Sequence, residues 1–282
     1  MSHVRPPVRV SCEFFPPATE EGAQKLTEVR AALRFLNCEY YSVTYGAGGS
    51  TRERTLATVE RILKEGDVPV MPHLTCVAAQ KKDVVDILDL YQSWGVDRIM
   101  ALRGDMPSGM YQAGDLLNAR ELVALVRERW GQSVHVYVAA YPEIHPRSKT
   151  PEQDLLHFRE KVNAGANEAV TQYFYNVDAF LRFRDDAQRL GVNIPIVPGI
   201  MPITNYTQLS RFSDMCGAQI PRWIRKRLEA YQNDLSALRD FGADVVSELC
   251  ARLIDEDVPA LHFYSMNRPD AVTAIAHNLG WH

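Results

Sequence analysis

Seven strand-like runs of this chain each carry or end in a side chain able to do chemistry. Glu13 closes VRVSCEF, Thr44 and Tyr45 close YYSVTY, and His73 sits in VPVMPHLTC. Arg103 and Asp105 follow RIMAL, Tyr141 follows VYVAA, Gln172 lies in EAVTQYF, and Asn267 and Arg268 follow LHFYSM. Carboxyls, an imidazole, phenols and an amide are the groups of proton transfer and polar ligand binding. Glu13 lies in the apolar setting VSCEFFPP. Desolvation there favours a protonated carboxyl, which suits a general acid near neutral pH. A core-edge glutamate paired with an arginine explains the same residue equally well on position alone. The tie is broken by the rule that barrel enzymes carry their chemistry at strand ends.

The other candidates also have two readings. Asp105, in ALRGD, directly follows a strand, and Gly104 lets the backbone approach a ligand; a simple turn with a local ion pair serves as well. His73 taken singly reads as a satisfied core histidine. Glycines 46, 48 and 49 follow a strand and open a helix, so their amides suit an anion, but the third glycine of a dinucleotide fingerprint is missing and a tight turn fits better. YPEIHP (Tyr141–Pro146) sets two prolines around a Glu and a His, a rigid loop for holding a cofactor or plain loop chemistry. Metal ligation needs three or four convergent ligands, and strand 1 offers Glu13 with no H-x-H beside it, so no metal site is expected.

The elements that position these residues alternate. Strands are expected at Arg9–Phe14, Tyr40–Tyr45, Val68–Thr75, Arg98–Leu102, His135–Ala140, Ala169–Phe174, Pro195–Ile200 and Ala260–Tyr264. Helical patterns separate them, from Thr19–Phe35 through Gln80–Trp94, Leu116–Trp130 and Val177–Leu190 to Ala271–Leu279. Ser50 and Glu53 form a capping-box pattern, as do Thr150 and Gln153, with Pro151 at the first helical position. Residues 205–257 are too long for one helix and hold two or three. Alternation repeated about eight times makes an α/β chain, a (β/α)8 TIM barrel over residues 1–282 as a single domain, with extra helices between strands 7 and 8.

Composition agrees. The 282 residues are 46% hydrophobic and 23% charged, with net charge −4, enough apolar surface for a large core and no basic cluster for nucleic acid or anionic membrane. The densest basic stretch, Arg222 to Arg227, reads as the solvated face of a helix. No apolar run approaches the ~18 residues of a membrane span, and the N-terminus lacks a signal core. Five widely spaced cysteines without CxxC read as buried thiols in a reducing cytoplasm.

Taken in order, the runs CEFFPP, SVTYGAGGSTRERT, PHLTC, ALRGD, AAYPEIHP, DLLHFREKVNAGA, TQYFYN, PGIMPI and HFYSMNR resemble the catalytic domain of methylenetetrahydrofolate reductase, from about residue 8 to 281. The short bacterial form, with no regulatory domain, is the one the chain is similar to. The resemblance implies a flavoenzyme in which FAD, reduced by NADH or NADPH, passes a hydride to 5,10-methylenetetrahydrofolate by ping-pong turns. Glu13 then protonates N10, and Asp105 tunes the flavin and bonds the folate. Thr44, Tyr45, Ala47, His73, Arg103, Gly104, Asp105, Tyr141, His145, Asp154, His157 and Lys161 match FAD-contacting positions. Gln172, Gln208, Phe212 and Arg268 match substrate-binding ones, Gln172 serving folate and nicotinamide in turn and Phe212 stacking on the adenine of folded NADH. The chain departs from some bacterial relatives at His157 and Glu160, where they carry Asn and Arg. A homo-oligomer is implied by the resemblance alone. Two rivals stand beside this reading: flavin-free hydride transfer in the same pocket, and a non-catalytic folate-binding barrel, for which an acid at Glu13 has no use.

Overall fold

A computed structural model describes residues 8–45, 49–66, 68–105, 114–231 and 233–282. The strands are β1 Arg9–Phe14, β2 Tyr40–Val43, β3 Val70–Thr75, β4 Arg98–Leu102, β5 His135–Ala140, β6 Glu168–Thr171, β7 Ile196–Val197, β8 Gly199–Ile200 and β9 Ala260–Tyr264. All pair in parallel in the order β7-β6-β5-β4-β3-β2-β1-β9-β8. β7 and β8 are the halves of the seventh barrel strand, parted at Pro198, which has no N–H for a ladder. The first half bonds β6 and the second bonds β9, so the sheet closes into the expected eight-stranded barrel.

The helices are α1 Glu20–Ala32, α2 Gly49–Glu65, α3 Lys81–Ser93, α4 Ala119–Trp130, α5 Pro151–Asn163, α6 Val177–Arg189, α7 Tyr206–Cys216, α8 Arg222–Ala230, α9 Leu235–Asp255 and α10 Pro269–Asn278. The described residues of the stretch 205–257 thus hold three helices. Side-chain caps fix many of the starts: the oxygens of Thr19, Asn118, Thr150, Asn176, Asn205 and Asp234 each accept an amide two or three residues on. α4 begins three residues later than its apolar pattern suggests, because Asn118 accepts from the Glu121 amide at 3.1 Å while Glu121 accepts from the Leu117 amide at 2.7 Å. α2 begins at Gly49, so Ser50 lies inside the first turn rather than ahead of it. β6 stops at Thr171, short of the expected Phe174.

β2, β3 and β6 are buried along their length, as parallel strands covered on both faces must be. One apolar core lies between strands and helices. A second fills the barrel itself with Tyr40, Met71, Met100, Tyr137, Val170, Val197 and Ala260. The amino-terminal end is closed by ions: Arg9 reaches Glu168 at 3.2 Å and Glu39 at 2.9 Å, and His135 reaches Glu168 at 3.2 Å. Among the described residues no helix is long and apolar enough to cross a membrane, and no group of three His, Cys, Asp or Glu is placed to hold a metal ion.

Candidate active site

Side chains two apart on a strand share a face, so each barrel strand sends a short column of residues inward. At the carboxyl-terminal end these columns finish in Glu13, Thr44, His73, Leu102, Tyr141, Gln172 and Tyr264, which with His262, Met100, Ala139 and Val170 line a cavity of about 260 Å³. Five sequence candidates therefore meet in one place: Glu13, Thr44, His73, Tyr141 and Gln172.

The apolar residues beside Glu13 in sequence are not its neighbours in space. Cys12 and Phe14 alternate outward into the helix-facing core, Phe14 edge-on to Tyr41, and Phe15 is 38% exposed. Glu13 instead faces two imidazoles: its Oε2 lies 3.5 Å from His73 Nε2 and 3.9 Å from His262 Nε2. Burial pushes the His73 imidazole below the ordinary histidine range; Glu13 pulls it back and His262 adds to the depression. His73 Nε2 is buried with no hydrogen-bond partner among the described residues. His262 is fully buried, with Nδ1 2.7 Å from Ser11 Oγ and Nε2 3.3 Å from Ser42 Oγ.

The wall beside Glu13 is tied across the seam where the barrel closes. Tyr264 donates its hydroxyl to the Thr171 carbonyl at 2.7 Å, passing so close to Gly199 that a Cβ there would lie 2.6 Å from the phenol oxygen. Ser265 Oγ donates to the Glu13 carbonyl. Asn267, a candidate by position, spends its amide on Phe15: Oδ1 accepts from the Phe15 amide at 2.8 Å and Nδ2 donates to the Phe15 carbonyl at 2.9 Å. It clasps the first and last strand ends through one bond at each amide atom.

A second group stands beside the cavity. Gly104 has φ +82° and packs on Thr75, where a Cβ would come within 2.8 Å. Arg103 donates to the Leu117 and Gly104 carbonyls. Asp105, exposed, is near enough for its charge to act on Tyr141 and His145. The His145 ring meets Tyr141 edge-on at 4.5 Å. Asp154 holds that loop, its oxygens accepting from the His145 amide at 3.1 Å and from Ser148 Oγ at 2.8 Å. Lys161 donates to the Ala139 carbonyl and lies 6.0 Å from the Tyr141 ring centre; burial pushes its ammonium down to about 8, with Asp154 pulling the other way.

The remaining candidates lie apart. Tyr45 packs against the outer core, and Ala47 lies outside the described residues. His157 is exposed on α5, 3.6 Å from Glu160. Gln208 is exposed on α7, and Phe212, one turn on, is half-buried against the core. Arg268 lines a different pocket, of about 190 Å³, with Arg239, Asp240 and Asp270. Two consecutive left-handed residues, Met266 and Asn267 at φ +54° and +53°, redirect the chain before it. His262, Tyr264, Ser11 and Ser42 were missed by the sequence reading; the signal for them is period-two alternation, which puts Ser11 inward with Glu13 and His262 inward with Tyr264.

A closed parallel barrel whose mouth holds a carboxyl, two imidazoles and an amide defines a barrel enzyme equipped for acid–base chemistry. The family model of methylenetetrahydrofolate reductase matches residues 4–280. A 5,10-methylenetetrahydrofolate reductase of Buchnera aphidicola subsp. Schizaphis graminum is 39% identical over 273 residues, 97% of this chain and 92% of its own. Methylenetetrahydrofolate reductase (NADH) 1 of Arabidopsis thaliana is 36% identical over 96% of this chain and 48% of its own. Among solved structures, an uncharacterized protein from Clostridium thermocellum that binds two copies of 5-methyl-5,6,7,8-tetrahydrofolic acid superposes with a TM-score of 0.64 at 16% identity, covering 96% of this chain and 93% of its own. The chain belongs to the methylenetetrahydrofolate reductase family, and is thus an oxidoreductase that reduces a folate to methyltetrahydrofolate.

Proposed function

We propose that the chain reduces 5,10-methylenetetrahydrofolate to 5-methyltetrahydrofolate with NADH or NADPH through bound FAD, with Glu13 as the general acid. The observation that carries this reading is the Glu13 carboxyl on the cavity wall, faced by two imidazoles rather than by a lysine or arginine among the described residues. The donor set suits a flavin. His73 brings a buried nitrogen with no hydrogen-bond partner among the described residues, and burial keeps the Tyr141 phenol protonated as a donor. When bound, FAD supplies the hydride carrier between nicotinamide and the one-carbon unit.

Thr44, Tyr45, Ala47, His73, Arg103, Gly104, Asp105, Tyr141, His145 and Lys161 hold the flavin in this reading, with His157 at its outer edge. Asp154 acts through the loop it pins, by presenting His145. Glu13 gives its proton to N10, the bond from N10 to the bridging carbon breaks, and the N5 iminium so formed is the hydride acceptor. Asp105 and Gln172 orient the pterin, while Gln208, Phe212 and Arg268 grip parts of folate or nicotinamide further out. The same pocket serves both substrates in turn.

The test is the visible spectrum of the purified protein, followed by NAD(P)H without oxygen. Absorbance near roughly 380 and 450 nm, bleached by NAD(P)H and restored by methylenetetrahydrofolate, supports the reading. A protein that stays colourless after incubation with FAD yet turns over folate points to direct hydride transfer.

A further inference from the structure

Tyr173, two residues past the end of β6, touches two parts of the site at once. Its backbone amide donates to Oε1 of the cavity-lining Gln172 at 3.0 Å. Its phenol lies 3.0 Å from Ser213 Oγ on α7, and both residues are buried. The second contact matters because α7 sits shallowly: of its described residues only Leu209 and Ser213 are buried. Leu209 supplies an apolar contact to the core, and Ser213 supplies this hydroxyl. Gln208 and Phe212 each stand one position before a seated residue and, four apart, share a face. Both are carried wherever the seat puts them.

The rest of the helix shows where that seat lies. Cys216, its last residue, is near enough for its charge to act on Tyr141 and Tyr264, which line the cavity with Glu13. Gly217, at φ +77°, packs on the Tyr141–Pro146 loop, where a Cβ on it would lie 3.2 Å from Pro146. The Gln219 amide donates to Glu143 of the same loop at 2.8 Å. α7 is thus tied to the chain leaving β5 and to the chain leaving β6, the second time through one pair of hydroxyls.

We propose that Tyr173 is a positioning residue for substrate binding: through Ser213 its phenol seats α7 where Gln208 and Phe212 reach the substrate. The inference rests on the reading of Gln208 and Phe212 as substrate contacts. A site whose wall is seated only part of the time binds with an affinity reduced by that fraction. Losing the phenol therefore weakens binding and spares the chemical step. Gln172 keeps its place, because its bond is to the backbone of Tyr173 and survives a change of side chain.

The test uses the holoenzyme and measures half-saturation and limiting rate in each half-reaction. Tyr173→Phe removes one oxygen and keeps the ring; a second variant carries Gln208→Ala with Phe212→Ala. The half-saturating concentration in Tyr173→Phe is expected to rise by about 3–10-fold, the factor of one net hydrogen bond. The rise falls on the same substrate, NAD(P)H or methylenetetrahydrofolate, that the second variant binds more weakly. Limiting rates stay within about twofold of the parent, as for a loss of binding alone. Ser213→Ala gives the same rise, and combined with Tyr173→Phe it adds nothing, because the bond is lost once. Amide exchange in α7 speeds up in both single variants while the barrel strands keep their protection.

Ser213→Ala carries the test if Tyr173→Phe does not fold. Half-saturation at the parental value, or a loss confined to the limiting rates, overturns the proposal, as does a rise confined to the other substrate. If the Gln208→Ala, Phe212→Ala variant binds weakly and Tyr173→Phe does not, the proposal alone fails. If that variant binds both substrates as the parent does, the reading of α7 fails and takes the proposal with it.

Discussion

The two ends of the barrel each set a largely buried glutamate beside a histidine, and they surround it in opposite ways. At the amino-terminal end Glu168, 4% exposed, has Arg9 at 3.2 Å and His135 at 3.2 Å, with Glu39 sharing Arg9. At the carboxyl-terminal end Glu13 has His73 at 3.5 Å and His262 at 3.9 Å, and among the described residues no permanent cation within ion-pair reach. Removing the guanidinium from beside a buried carboxylate leaves a charge uncompensated. The carboxyl at the open end has imidazoles there instead of a permanent cation. The closed end ties β1 to β6 and β5 through these ions, and at the open end the buried His73 Nε2 has no hydrogen-bond partner among the described residues.

The widest effect expected from this contrast is kinetic. Glu13→Gln lowers the rate of the folate step by about 10²–10⁴-fold, the usual share of a general acid, with reduction by NAD(P)H retained. Its melting temperature stays within about 2 °C of the parent, since no tight pair is broken. Stopped-flow traces of the two half-reactions and one thermal scan measure both. A folate step at the parental rate would break the comparison at its open end.

Arg9→Met is the mirror image. It strands Glu168 in the closed end with only His135, and should cost about 2–3 kcal/mol, below the roughly 3–5 of a fully buried pair, because Arg9 is itself 42% exposed on its side chain. Denaturant unfolding reads the loss as a lower midpoint with unchanged slope. Both half-reactions should keep their rates at a temperature where the variant is folded. A change confined to catalysis would mean that the closed end is not simply structural.

How much of this was legible in the sequence follows the same divide. β1, β4, β5 and β9 have the expected bounds because each is an apolar run stopped by turn residues. The residues at their ends were legible as well, since strand-end position is itself a local signal. Contacts across the closure were not. Ser11 and His262 are 251 positions apart, and LHFYSM reads as a buried strand whose histidine could face either way. Glu13 shows the converse error: its apolar neighbours in sequence alternate to the other face, so the setting inferred from VSCEFFPP belongs to Phe14 rather than to the carboxyl. Asn267 was counted among reactive groups because it ends a strand, yet both atoms of its amide bond Phe15. The capping box at Asn118 was local, but the apolar Leu116 and Leu117 ahead of it drew the helix start too early.

The smallest effect separates the wall around Lys161 from both ends. Lys161 is held down to about 8 by burial, from an ordinary value of 10.5. Between those two values the unfolded chain binds more protons than the folded one, so this group's contribution to stability rises with pH across that window. Below about 8 the charged ammonium is carried at a cost, which Asp154 only partly offsets. Lys161→Met should therefore raise the melting temperature of the flavin-free protein at pH 7 by about 2–4 °C, and the gain should shrink on going to pH 10. The same variant should bind FAD more weakly at pH 7 if the ammonium faces the cofactor. A lysine kept charged at a cost in stability, with no loss of FAD affinity on its removal, would place it with the structural residues of the closed end.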